Sequence, residues 1–224
     1  MNKVDLALAY AARGWKVLAL QPNSKIPLKS ALQEHGSKDA TDNPNTIRIL
    51  WGEYPNANVG IATGEASGLT VLDLDDKQTA RTKIEALPGF THPPVSYGVS
   101  TPRGWHLYYK FDPSISQSAG RVEKCDIRNN GGYVVAAGSE VDGVTYKALN
   151  DLPVAAWDFP PIFKNGYQAT RPTVKNWVAE LQGNGALQGN RNDRLFRLAA
   201  AYRQMGHEAE EIQMLLDEAN AKND

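Results

Sequence analysis

The chain has 224 residues, 42% hydrophobic and 22% charged, with a formal net charge of -1; this fits one large domain or one with a smaller appendage and excludes a disordered chain. The near-neutral balance excludes a protein that is basic throughout, so any nucleic acid has to be held by a local basic groove or with the help of a partner domain. The single cysteine, Cys125, excludes an intrachain disulfide framework and a multi-cysteine zinc site, and it points to a reducing, cytoplasmic setting.

Taken in chain order, residues 3–13 have helical spacing. Val4, Ala7, Leu8 and Ala11 share a face, Asn2 is placed to cap the start and Gly14 to end it. Trp15 to Leu20 reads as a strand, followed by a polar loop carrying Lys25 and Pro27. Asn43-Pro44 opens a second helix, with asparagine at the cap and proline at the first helical position; Ile47, Leu50, Trp51 and Tyr54 form its apolar face. Asn58 to Thr63 is a strand closed by Gly64. The run from Leu69 to Asp76 is a buried strand, and Lys77 to Leu87 a helix stopped by Pro88-Gly89. Strands return at 95–100, 106–111, 126–128 and 133–137, with a hairpin arm around 144–147. Helices and strands mix without a regular βαβ repeat, so the expected class is α+β rather than a doubly wound parallel sheet. Residues 153–172 are rich in proline and aromatics and read as a linker or wrapping segment between a domain over 1–152 and a small helical module over 173–224. In that module Leu195, Leu198, Ala199 and Tyr202 form one apolar stripe, and Ile212, Leu215, Leu216 and Ala219 another. No apolar run approaches the ~20 residues that cross a bilayer, and Met1 to Asp5 lacks a secretory layout.

Four stretches carry chemistry. In Leu72-Asp73-Leu74-Asp75 the two acids share a strand face, with Cα atoms roughly 6.5–7 Å apart. Carboxylates that close repel each other and resist desolvation, and a divalent cation relieves both effects. Oxygen-only ligands favour Mg²⁺ or Mn²⁺ over zinc, and such sites support phosphoryl or nucleotidyl transfer; the plainer alternative is a strand that simply ends at the surface. Ser100-Thr101-Pro102-Arg103-Gly104-Trp105-His106 places a guanidinium and a glycine turn ahead of a histidine at a strand mouth, a layout suited to phosphate oxygens, although a hairpin turn with a structural histidine reads the same way. Asp126-Ile127-Arg128 puts an acid and a base on one strand face before the Gly131-Gly132 turn, which also describes a salt-bridged edge strand. Lys25 in its loop is either a ligand contact or a solvated side chain.

Together these segments resemble the primase-polymerase (prim-pol) family of the archaeo-eukaryotic primase superfamily, known from plasmid and phage replication proteins. Trp15-Lys16-Val17 and Lys25-Ile26-Pro27 are similar to its opening strand and loop. Ala40-Thr41-Asp42, the helix from Ile47 to Trp51 and the strand from Asn58 to Gly64 follow in the family's order. Asp73-Leu74-Asp75, Thr101-Pro102-Arg103-Gly104 with His106-Leu107-Tyr108, and Asp126-Ile127-Arg128 with Gly131 to Val135 complete the set over residues 10–150. Trp105 stands where the family commonly has a second glycine.

The resemblance implies a primase-like catalytic core, an N-terminal αβ unit plus an RRM-like half, with a small C-terminal helical appendage. It implies a template-dependent primase and DNA polymerase in which Asp73, Asp75 and Asp126 hold two Mg²⁺ or Mn²⁺ ions and no zinc. His106, Arg103, Arg128, Ser100, Lys25 and Ser139 are the implied nucleotide contacts. Single-stranded DNA template and nucleoside triphosphates are the implied partners, with no membrane; relatives often continue into a helicase, so a helicase domain or protein is an expected companion. A non-catalytic nucleic-acid-binding module of the same fold is the competing expectation, and a metal-dependent nuclease or phosphohydrolase a third.

Overall fold

The computed structural model describes residues 2–87 and 91–166; the two helices expected in the tail lie outside them. The first element is helix α1 (Lys3–Ala11), whose start is fixed by Asn2 Oδ1 accepting from the Asp5 N–H at 2.8 Å. It stops two residues earlier than the spacing suggests, because residues 12–14 turn and Gly14 takes a left-handed φ of 80°. Strand β1 (Val17–Leu20) follows, then α2 (Pro44–Glu53), capped as expected by Asn43 Oδ1 accepting from the N–H groups of Asn45 and Thr46. Ile47, Leu50 and Trp51 are the buried face of α2.

Next come β2 (Asn58–Ala62), β3 (Leu69–Leu74), α3 (Lys77–Glu85), β4 (Gly98–Ser100), β5 (Trp105–Lys110), β6 (Ser118–Val122), β7 (Cys125–Arg128), β8 (Tyr133–Val135), β9 (Glu140–Val141), β10 (Val144–Thr145) and β11 (Lys147–Ala148). They form a six-stranded sheet in the order β11-β4-β5-β3-β7-β6, a three-stranded sheet in the order β1-β2-β8, and the β9–β10 hairpin. Every pairing between these strands is antiparallel, so the architecture is the expected α+β type. Strand β6 was not foreseen. Its sequence, Ser-Ala-Gly-Arg-Val, lacks apolar alternation because it is an irregular edge strand, largely exposed, with a bulge between Ser118 and Val122.

The period-2 geometry of β3 separates two cores. Leu69 and Val71 face the larger core, with Tyr97, Val99 and Tyr108, the three-stranded sheet, α1 and α2. Leu72 and Leu74 face the other, with Ile84 of α3, Tyr109, Cys125 and Ile127. The aromatic stretch after residue 153 packs into this second core: Trp157 and Phe159 are buried against Tyr109, Phe163 is buried against Phe159, and Ala155 bridges to Tyr109. Asp73 therefore continues the Leu69–Val71 row, on the face that looks toward the three-stranded sheet, at the point where the apolar row ends.

Candidate active site

Strand register brings the distant acids together. Asp73 on β3 is the direct partner of His106 on β5 and of Asp126 on β7, so three chemically active side chains form one row across three adjacent strands. Residues directly opposite in an antiparallel pair share a face. Arg128, two residues beyond Asp126, lies on the same face and reaches back over the row. Its Nε and Nη2 donate to Asp73 Oδ2 at 3.2 and 2.9 Å, and Nη2 also meets Asp126 Oδ2 at 3.1 Å. The other oxygen of Asp73 faces His106 Nε2 at 3.4 Å, while Asp126 Oδ1 accepts from the Gly120 N–H at 3.0 Å. Asp75 lies one residue past the end of β3, holds extended pairing through its N–H to the Lys124 carbonyl, and meets Arg103 Nη2 at 3.0 Å in a more exposed ion pair.

Burial works to raise the Asp73 carboxyl, but hydrogen bonding and charge from His106, then from Arg128, outweigh it and hold its pKa down to about 2. His106 is buried, its ring rests against Tyr146 with centroids 5.7 Å apart, and its Nδ1 has no hydrogen-bond partner. With Nε2 turned to a carboxylate, that ring nitrogen is the polar atom left over for a further group. Cys125, beside Asp126, takes no part: burial, then the charges of Asp126 and Asp73, push its thiol up to about 12.

A cleft of about 460 Å³ opens over this row. Lys25, Asp73, Asp75, Arg103, His106 and Arg128 all line it. Asp126, Ser100 and Ser139 do not line it: Asp126 stands in the row beside Asp73, joined through Arg128, and Ser100 lies on β4 paired with Trp105 and Lys147. Ser139 is fully buried, its hydroxyl donating to the Val59 carbonyl and accepting from the Val59 N–H. The expectation of a nucleotide contact from Ser139 thus meets a hydroxyl already engaged in sheet packing.

Lys25 is carried to the cleft by a braced loop. Tyr133 donates its hydroxyl to the Lys25 carbonyl, Asn58 donates to the Ser24 carbonyl, and Asn23 Oδ1 accepts from Gly143. The lining also includes Gln117, Tyr133, Val141, Asp142 and Tyr146, which sequence reasoning missed. The Gly131-Gly132 turn held a usable signal for one of them. A Cβ on Gly132 would sit 2.0 Å from Gln117 Oε1 and 2.8 Å from Thr63 Oγ1, so that glycine is what lets Gln117 approach the turn. Tyr133 lies within the Gly131 to Val135 element that the resemblance rests on but was not singled out as a contact, and nothing in its own neighbourhood marked Tyr146.

The donor chemistry suits a hard divalent ion, since the acids are oxygen ligands and Asp73 is firmly ionised. Among the described residues, however, no group of three or more acids, histidines or cysteines converges as a ready cage; Arg128 stands between the two nearest carboxylates.

An α+β body whose six-stranded sheet carries a histidine–acid–acid row beneath a basic-rimmed cleft has the architecture of a primase-polymerase domain. Residues 7–160 match the family described as bifunctional DNA primase/polymerase, N-terminal, and the chain belongs to that family. No curated protein matches it significantly. The family is one of nucleotidyltransferase-type enzymes that act on DNA and nucleotides and generally use divalent metals. Among the described residues no helix is long and apolar enough to cross a membrane.

Proposed function

We propose that this protein is a template-dependent DNA primase and polymerase that joins nucleotides by two-metal nucleotidyl transfer, in a cytoplasmic replication setting. The observation that carries the reading is the register of Asp73, which with His106 lines the cleft, with both His106 and Asp126 on the neighbouring strands. Asp73, Asp75 and Asp126 would hold Mg²⁺ or Mn²⁺. Bound there, the ions would lower the pKa of a 3′-hydroxyl and neutralise charge on the triphosphate and the departing pyrophosphate.

The chain's own residues supply the rest. His106 presents a buried imidazole whose Nδ1 is unpartnered. Arg103 and Lys25 rim the same cleft and offer fixed positive charge to phosphate oxygens. The cleft's charge changes from acid on the sheet floor to base at the rim, which is the order a metal-chelated triphosphate requires. Tyr133, Tyr146 and Val141 give part of the wall an apolar surface against which a base or sugar can rest.

A second reading, a nucleic-acid-binding module without catalysis, is favoured by one feature. Each acid is already paired with a cationic partner of the protein: Asp73 and Asp126 with Arg128, and Asp75 with Arg103. Primer synthesis and extension on single-stranded DNA with Mn²⁺ and nucleotides separates the two. The enzyme reading expects product from the native chain and none from Asp73→Ala or Asp126→Ala variants that still fold. Normal DNA binding in EDTA with no product under any nucleotide set would establish the module instead.

A further inference from the structure

Arg128 occupies an unusual place for a phosphate ligand. Asp73 and Asp126 are direct cross-strand partners, and two like charges in that relation are destabilising unless something lies between them. What lies between them is the Arg128 guanidinium, with three hydrogen bonds of 2.9–3.2 Å to the two carboxylates. It binds one oxygen of each, Oδ2 in both cases, and so takes the positions a cation shared by the pair would use. Yet its own side chain is 31% exposed and lines the cleft, so it can turn toward the cleft without disturbing either core.

We infer that Arg128 is a resident counter-ion: it neutralises Asp73 and Asp126 while no metal is bound, and a divalent ion has to displace it to reach them. Released, the guanidinium swings into the cleft, where an anionic phosphate is its next partner. The same side chain thereby links metal loading to nucleotide loading, and it keeps the acid pair from splaying the β3–β7 ladder in the empty state. This inference rests on the metal-dependent reading of the site above; it adds that the metal competes with a side chain of the protein, so Arg128 is a positioning residue that weakens metal binding on its own.

The test is Mn²⁺ binding without DNA or nucleotide, followed by the electron paramagnetic resonance of free Mn²⁺, with the melting temperature measured in parallel. Native chain, Arg128→Gln, Arg128→Lys and Asp73→Asn are compared. Arg128→Gln should melt lower without metal yet bind Mn²⁺ more tightly, on the order of tenfold, as expected when a charge-assisted competitor is removed. Arg128→Lys, which keeps the charge but loses the planar bridge, should fall between, and it carries the test if the glutamine variant does not fold. In the native chain the Arg128 Nε–H nuclear magnetic resonance signal should shift on adding Mg²⁺. Unchanged or weaker Mn²⁺ binding in both Arg128 variants overturns the counter-ion role while leaving the metal site standing. No Mn²⁺ uptake by any variant, with nucleotide present as well, overturns the metal site itself and this inference with it. Loss of Mn²⁺ binding in Asp73→Asn supports the metal site, and tighter binding in Arg128→Gln supports the counter-ion role.

Discussion

The backbone of Gly104 is pressed against the carbonyl of Leu74: a Cβ on Gly104 would stand 1.5 Å from that oxygen and 2.7 Å from its carbon. The requirement is for space, since Gly104 is not among the glycines with positive φ. The turn is closed by paired hydrogen bonds, Gly104 N–H to Thr101 Oγ1 at 2.9 Å and Thr101 N–H to the Gly104 carbonyl at 3.0 Å. This close approach sets Arg103 beside Asp75 and starts β5 in register, so that His106 meets Asp73. Gly104→Ala must push the turn off the end of β3. It should lower stability by about 3 kcal/mol or more and raise the nucleotide KM, because Arg103 and His106 both hang on that turn. Urea denaturation and steady-state kinetics check the two effects, and an unaltered midpoint would show that the turn yields freely.

The depressed carboxyl of Asp73 makes stability depend on acid in a defined direction. Its folded-state pKa of about 2 lies below the roughly 3.9 of a free aspartate. A group depressed on folding contributes stability above its unfolded pKa and loses that contribution as pH falls through its folded one. The contribution should therefore be fully present above about pH 4–5 and fade between about pH 4 and pH 2, with a size of about 2 kcal/mol. Asp73→Asn removes this group's share of the acid dependence. Denaturation curves from pH 6 down to pH 2 should be shallower in the variant, and equal slopes in the two proteins would contradict the ion-pair account.

Ser139 separates a packing role from a ligand role. Its hydroxyl donates to the Val59 carbonyl at 3.1 Å and accepts from the Val59 N–H at 2.9 Å. Ser139→Ala leaves that buried N–H without its partner, which costs about 1–3 kcal/mol. The melting temperature should fall while the nucleotide KM stays within error. A raised KM at unchanged stability would restore Ser139 as a nucleotide contact.

What could be read from the chain, and what could not, follows the range of each interaction. The Asn2 and Asn43 caps were legible because a cap is satisfied within three residues of itself. The Asp73 strand was legible because its apolar run stands out locally. Its alignment with Asp126 is different in kind. The two positions are held opposite each other by a β3–β7 register that only the folded sheet defines, and ordered motifs suggested that convergence where spacing did not. Strand β6 escaped because edge strands need no buried face. Tyr146 escaped because its place beside His106 depends on where the β9–β10 hairpin returns, which nothing in Val144-Thr145-Tyr146-Lys147 encodes locally. The engagement of the Ser139 hydroxyl was hidden for the same reason: its partner, Val59, lies 80 residues away on β2.

Gln33 is the residue whose importance is least apparent from its surroundings in sequence. It is 1% exposed in a loop whose adjacent residues, Ala31, Leu32, Glu34 and His35, are exposed. Its Oε1 accepts from the Ala19 N–H, and its Nε2 donates to the carbonyls of Ala19 and Leu28, all at 2.7 Å. Strand β1 is the open edge of the three-stranded sheet, so this amide serves as a substitute strand partner, aided by the Leu20–Pro27 and Val17–Thr41 bridges. The loop it anchors is the one that brings Lys25 to the cleft. Gln33→Leu keeps the volume but leaves a buried N–H and two carbonyls without that partner, and stability should fall by about 3 kcal/mol. At a temperature where the variant remains folded, the nucleotide KM should rise toward that of Lys25→Ala while kcat changes less, because in the proposed function the loop contributes binding rather than the reacting groups. A variant that loses stability but keeps the native KM would show that Lys25 is held by Tyr133 and Asn58 alone. A kcat loss as large as the KM rise would place the loop in the chemical step itself.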